Sequence, residues 1–156
     1  MILSCTVNKK LVRLECEPGE ALADVLRAAG YKEVKKACGT GNCGLCTILL
    51  DEVPVASCSI FAARAEGRAI TTIQGLKKEA EELGAYIAAE GAEQCGYCSP
   101  GFVLTALAME REFRAQGMGR FDELAARHYL AGNLCRCSGY QGHMRALKKY
   151  WEARNG

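Results

Sequence analysis

The sequence predicts an α+β protein, with a small mixed sheet packed on one helix, followed by a compact bundle of four helices. Two observations carry this. Through residue 74 the apolar residues alternate with period two in short runs separated by turn residues, whereas beyond Gln74-Gly75-Leu76 they recur at helical spacing. The length agrees, because 156 residues, 49% hydrophobic and 24% charged, suffice for two small domains with ordinary cores. The expected domains are 1–74 and 75–156.

In the first half, Ile2–Val7 and Leu11–Cys16 alternate around a turn at Asn8-Lys9-Lys10. One face of this hairpin carries Leu3, Cys5 and Val7, then Val12, Leu14 and Cys16. Pro18-Gly19 ends the second strand. Leu22, Val25, Leu26 and Ala29 fall on one helix stripe, with Gly30 placed to cap its end. After a glycine-rich stretch from Cys38 to Cys46, Thr47–Leu50 and Pro54–Ser57 form a second hairpin. Its tip, Asp51-Glu52, lacks the glycine that a type I′ turn favours. Arg68–Ile73 is one more strand.

In the second half, Lys77–Glu90 turns Ala80, Leu83 and Ile87 inward and an acidic face outward. Pro100 opens a helix whose stripe is Phe102, Ala106, Met109 and Phe113, read as bundle core. Gln116–Gly119 is a loop, and Phe121–Leu130 and Tyr140–Arg154 are the last two helices. Short connections between four helices point to a bundle.

Charge excludes several functions. Residues 1–74 carry nine basic and eight acidic residues and residues 75–156 eleven and ten, for a net +2. No basic stripe marks a nucleic-acid or membrane surface. No apolar run approaches the roughly 18 residues that span a bilayer. The opening Met1–Thr6 lacks the regions of a secretory signal, so a cytoplasmic location is expected. Ten cysteines are then anomalous. A reducing compartment disfavours a disulfide framework, which leaves metal or redox chemistry.

The first cysteine group is Cys38-x4-Cys43-x2-Cys46, with Cys58 following after eleven intervening residues. This is the spacing of plant-type [2Fe–2S] clusters. Four thiolates must converge on a small anionic object, and Gly39, Gly41 and Gly44 let the chain wrap it and aim N–H groups at sulfur. The second group is Cys95-Gly-Tyr-Cys98 with Cys135-Arg-Cys137. Cys98 precedes a helix N-terminus, where the dipole favours a thiolate, and Gly132-Asn133 and Gly139 allow a tight turn around the other pair. By spacing alone this group suits an iron–sulfur cluster or zinc.

Three segments also carry a family resemblance. They are Cys38-Gly-Thr-Gly-Asn-Cys43-Gly-Leu-Cys46-Thr, Gly91-Ala-Glu-Gln-Cys95-Gly-Tyr-Cys98-Ser-Pro-Gly101 and Ala131-Gly-Asn-Leu-Cys135-Arg-Cys137-Ser-Gly-Tyr140. They resemble the iron–sulfur subunit of molybdenum hydroxylases, the family of xanthine dehydrogenase, aldehyde oxidoreductase and aerobic carbon monoxide dehydrogenase. The resemblance implies an N-terminal ferredoxin-like β-grasp domain and a C-terminal four-helix domain, each holding one [2Fe–2S] cluster on the cysteines above. It implies an electron-transfer subunit without a catalytic site of its own. Electrons would pass from molybdopterin in a large partner subunit, through the helical-domain cluster and then the other, toward FAD in a further subunit. Gln94 and the sulfur of Cys137 would meet the pterin. The chain departs from the usual pattern at Asp51-Glu52, at His143, at Gly84 and in the proline-free loop before Phe121, none of them a cluster ligand.

Simpler readings stand beside these. Cys5 and Cys16, on the hairpin's apolar face, read as core. Cys95-Gly-Tyr-Cys98 as a thioredoxin-type dithiol would need a βαβ context that its helical surroundings do not offer. His128 and His143 fall on helix stripes away from the cysteine pairs, which argues for packed or boundary residues rather than Rieske ligands. Arg136 is either a solvated cation or a charge that offsets a cluster, and Lys148-Lys149 suits a helix C-terminus. The competing functions are a free-standing two-cluster carrier and a zinc-stabilised interaction module.

Overall fold

In a computed structural model, which describes residues 1–154, strands β1 (Ile2–Val7) and β2 (Lys10–Glu15) precede helix α1 (Leu22–Ala28). Strands β3 (Thr47–Leu50), β4 (Val53–Ala56) and β5 (Ala69–Thr71) complete one five-stranded sheet of order β2-β1-β5-β3-β4. β1 and β5 run parallel and the other neighbours antiparallel. A 3₁₀ turn at Ile73–Leu76 leads into α2 (Lys77–Ala89), α3 (Ser99–Ala115), α4 (Glu123–Tyr129) and α5 (Tyr140–Ala153).

Both hairpins close through two left-handed residues, Asn8 and Lys9 at φ 51° and 68°, and Asp51 and Glu52 at 49° and 68°. Lys10 therefore belongs to β2, not to the turn. The second tip takes the I′ geometry without glycine because Asp51 is tied down. Its carboxylate accepts from the Ala69 N–H at 2.8 Å and from Arg68 Nε at 2.6 Å. The Ala69 bond, then Arg68, holds the Asp51 carboxyl below its usual range.

One core lies between the sheet and α1, built on Leu3, Val7, Leu22, Leu26, Ile48 and Ile70. Cys5 and Cys16 belong to it, 1% and 8% exposed, as small hydrophobes. Burial, then the charges of Glu66 and Cys16, pushes the Cys5 thiol up. The helices share a second core around Leu83, Phe102, Met109, Leu147 and Trp151. A third cluster joins the two halves, with Leu49 of β3 against Leu104 and Ala108 of α3. β3 is thus buried on both faces, which explains why Ile48-Leu49-Leu50 shows no alternation.

α4 is shorter than the stripe predicts. The Asp122 carboxylate accepts from the Ala125 N–H at 3.0 Å and caps it, so Phe121 lies outside the helix. His128 is exposed, not packed. His143 is 3% exposed and stacks on Phe102 at 4.2 Å. Lys149 pairs with Glu90, which also binds Arg145 at 2.7 Å, so its role is tying α5 to the end of α2.

Candidate metal centres

The first cysteine loop runs from Cys38 to Cys46 into β3, and Cys58 returns to it on the 3₁₀ turn Ser57–Ser59 after β4. Residue 57 closes this return, since Ser57 Oγ donates to the Cys46 carbonyl at 2.6 Å. Backbone N–H groups point at sulfur, from Thr40 to Cys38 Sγ at 3.4 Å and from Cys58 to Cys46 Sγ at 3.5 Å. Cys43 and Cys46 are buried, while Cys38 is exposed. The Thr40 N–H, then the Cys43 thiol, lowers the Cys38 thiol to about 5, whereas burial pushes Cys46 up to about 11.

The second group comes from two inter-helix turns. Cys95 and Cys98 lie between α2 and α3, and Cys135 and Cys137 between α4 and α5. Cys98 is the N-cap residue of α3, as expected, but its thiol is pushed up to about 12. Burial, followed by the neighbouring Cys135 and Cys95, raises it there against the lowering effect of a backbone hydrogen bond. For Cys135 burial acts upward, yet N–H groups of Gly139, Cys137 and Ser138 and the Cys98 thiol bring the net shift down. The left-handed residue of this turn is Ser138, at φ 64°. Gly139 has an ordinary φ of −70° and is needed for another reason, since a Cβ there would sit 2.6 Å from the Ala92 carbonyl. The Tyr140 hydroxyl accepts from the Cys135 N–H at 2.7 Å. Gln94 Nε2 donates to the Cys137 carbonyl at 3.3 Å, so the two residues assigned to the pterin by resemblance are neighbours.

Three pairs of thiols are near enough to shift one another's titration, Cys38 with Cys43, Cys46 with Cys58, and Cys98 with Cys135. A two-iron rhomb takes two thiolates at each iron. Cys95, Cys98 and Cys135 also border a cleft of about 520 Å³ whose other wall includes Ala37 and Leu45 of the sheet half. The donor pairs, the N–H groups at sulfur and this cleft fit two-iron clusters. Arg136 is exposed at the cleft's rim.

The two loops touch. The Leu134 N–H donates to the Cys43 carbonyl at 3.0 Å, so a single hydrogen bond joins the residue beside Cys135 to Cys43. Buried Asn133 donates to Thr105 Oγ1 at 3.1 Å and reaches the Gly44 carbonyl at 3.4 Å. In the sequence Asn133 registers only as a turn residue, and nothing local in it reveals a partner 89 positions away.

Residues 5–71 match the family described as the 2Fe-2S iron-sulfur cluster binding domain, and residues 72–148 the [2Fe-2S] binding domain. The xanthine dehydrogenase iron-sulfur-binding subunit of Escherichia coli is 40% identical over 89% of this chain and 87% of its own length. The chain belongs to the family of iron–sulfur subunits of molybdenum hydroxylases. The nicotinate dehydrogenase small FeS subunit of Eubacterium barkeri is 33% identical over 88% of the chain and 87% of its own. A chain of quinoline 2-oxidoreductase from Pseudomonas putida 86 superposes with a TM-score of 0.87 at 36% identity, covering 100% of this chain and 97% of that one. In the aldehyde oxidoreductase of Desulfovibrio desulfuricans the equivalent region is 17% of a longer chain, with a TM-score of 0.87 at 32% identity. As an iron–sulfur subunit of this family the protein is an electron-transfer component of an oxidoreductase, with an N-terminal ferredoxin-like domain and a C-terminal helical domain, each of a [2Fe–2S]-binding type. That decides against zinc and against a thioredoxin-type dithiol.

Proposed function

We propose that Cys38, Cys43, Cys46 and Cys58 hold one [2Fe–2S] cluster in a domain spanning 1–74. Cys95, Cys98, Cys135 and Cys137 hold the second, in a domain spanning 75–156. When bound, each cluster takes up and releases one electron at a time. The chain's contribution is to hold them close, wrapped in N–H donors and partly shielded from water. The second site faces a large molybdopterin-binding subunit, with Gln94 and Cys137 toward the pterin. Gln94 spends one N–H on the Cys137 carbonyl and keeps its amide oxygen and second N–H for a pterin edge. The first site, exposed at Cys38, faces an FAD-binding subunit. The observation that carries this reading is the hydrogen bond from Leu134 to the Cys43 carbonyl, which brings the two four-cysteine groups within one interface.

The nearly balanced net charge of +2 disfavours a free-standing carrier steered to partners by a strongly acidic surface. No helix among the described residues is long and apolar enough to cross a membrane. Metal and sulfide analysis of anaerobically prepared protein tests the assignment. About four irons and four sulfides per chain are expected, and zinc without sulfide overturns it. Native purification tests the partners. A co-purifying large molybdopterin-containing chain is expected, and its absence favours the free-standing carrier.

A further inference from the structure

Tyr97 stands between Cys95 and Cys98 yet is 44% exposed, so packing does not account for it. Its hydroxyl donates to the Lys36 carbonyl at 2.9 Å, and Lys35 Nζ lies 5.7 Å from its ring centroid. Lys36 is two residues before Cys38. A side chain rooted in the second metal loop therefore grips the backbone entering the first. The other end of the same loop is held by the Leu134 N–H on the Cys43 carbonyl and by Gly101 packed on Gly44. Between them the two attachments bracket the part of the loop that carries Cys38 and Cys43.

We propose that Tyr97 is a positioning residue for electron transfer between the two sites, its hydroxyl bond to Lys36 fixing the separation and orientation of the Cys38 loop relative to the Cys95–Cys98 loop. The proposal rests on the eight-cysteine assignment. In the transfer one cluster loses one electron as the other gains it, with no bond made and no proton moved. Its rate is therefore set by distance and coupling, the quantities a tether controls. A phenylalanine keeps the ring and loses only the grip. The bond is exposed and water competes for it, so its loss raises the ratio of loosened to gripped geometries about twofold, the low end for a net hydrogen bond.

The experiment compares the full chain and its Tyr97→Phe variant, each loaded with both clusters and fully reduced with dithionite. Iron and sulfide contents and each cluster's own paramagnetic signal are expected to match. The splitting from magnetic interaction between the clusters is expected to broaden in the variant, with about a twofold larger loosened component. Electron redistribution after flash reduction is expected to slow. Lys35→Gln, which keeps the hydroxyl, is expected to change neither. Unchanged splitting and rate in Tyr97→Phe overturn the tether, and so does loss of a cluster from that variant, which makes the residue a structural support. Fewer than two two-iron clusters in the unmodified chain overturn the ligand assignment itself, a separate result.

Discussion

Gly101→Ala is the substitution that most directly tests how the helical half is locked onto the first metal loop. Gly101 sits in the first turn of α3, three residues after Cys98. A Cβ built there would overlap the Gly44 carbonyl oxygen, with the Leu45 carbonyl at 3.2 Å and the Gly44 carbonyl carbon at 3.3 Å. All three obstacles are backbone, so no side chain can swing aside. The nearest comfortable carbon–oxygen approach is about 3.3 Å, so α3 and the Cys43–Leu45 segment must separate by about 1 Å. Overpacking of this kind costs about 1–3 kcal/mol. The same retreat stretches the Leu134 bond to Cys43, now 3.0 Å, beyond useful length. Gly84→Ala is the control, because nothing lies within 4 Å of its Cβ in the middle of α2. It should stabilise by about 0.5–1 kcal/mol through helix propensity. Urea unfolding of both variants, with iron content measured alongside, reads opposite signs for one chemical change. A Gly101→Ala protein as stable as the parent, with both clusters intact, refutes the close-contact argument.

Three further outcomes follow from the same structure. Asp122→Ala removes the cap of α4 and should cost about 1 kcal/mol in denaturant unfolding, with Asp122→Asn recovering most of it. The Asp51 carboxyl is held below its ordinary value of 3.8 by the Ala69 N–H and Arg68. A depressed folded value gives stability that is present above the ordinary value and lost as pH falls through the folded one. Thermal melts below about pH 4 should therefore fall less steeply for Asp51→Asn than for the parent, and parallel curves would contradict this. Cys5 and Cys16 lie in the sheet core at 1% and 8% exposure. After iron removal they should resist a thiol reagent that labels exposed Cys38 and Cys95, and react only on unfolding, as peptide mass mapping would show.

What the sequence made legible was local. The hairpin at Asn8-Lys9, the α1 stripe ending at Gly30, the α3 stripe from Phe102 to Phe113 and both cysteine groups rest on residues a few positions apart. The errors fall where a distant group decides. Asp51-Glu52 looked unsuited to a left-handed pair of residues until Ala69 and Arg68 supplied partners 18 and 17 positions away. The helix dipole at Cys98 was a sound local expectation, but Cys135 and the burial around it come from another turn of the chain. His128 satisfies the stripe of α4 yet faces solvent, because that helix is short and covered on one side alone.

The glycines show the same limit from the other side. Composition and motif single out Gly44, Gly101 and Gly139, and freedom of φ is the reason that comes first to hand. Of these, Gly44 alone has a positive φ, at 68°. Gly101 and Gly139 are required because backbone carbonyls of Gly44 and Ala92 approach where a side chain would stand. Gly44 carries both demands, since its Cβ would also lie 2.6 Å from Asn133 Nδ2 and from the Gly132 carbonyl. These close approaches are where α3 and the turn before α5 lock against their neighbours, and α5 docks on the end of α2 through Gly139 and Ala92. Short spacing between the two cysteine groups thus depends less on the thiols than on the absent methyl groups of Gly44 and Gly101. An electron path across this interface rests on close backbone packing, which is why the Gly101 substitution, which changes no cysteine, is expected to disturb it.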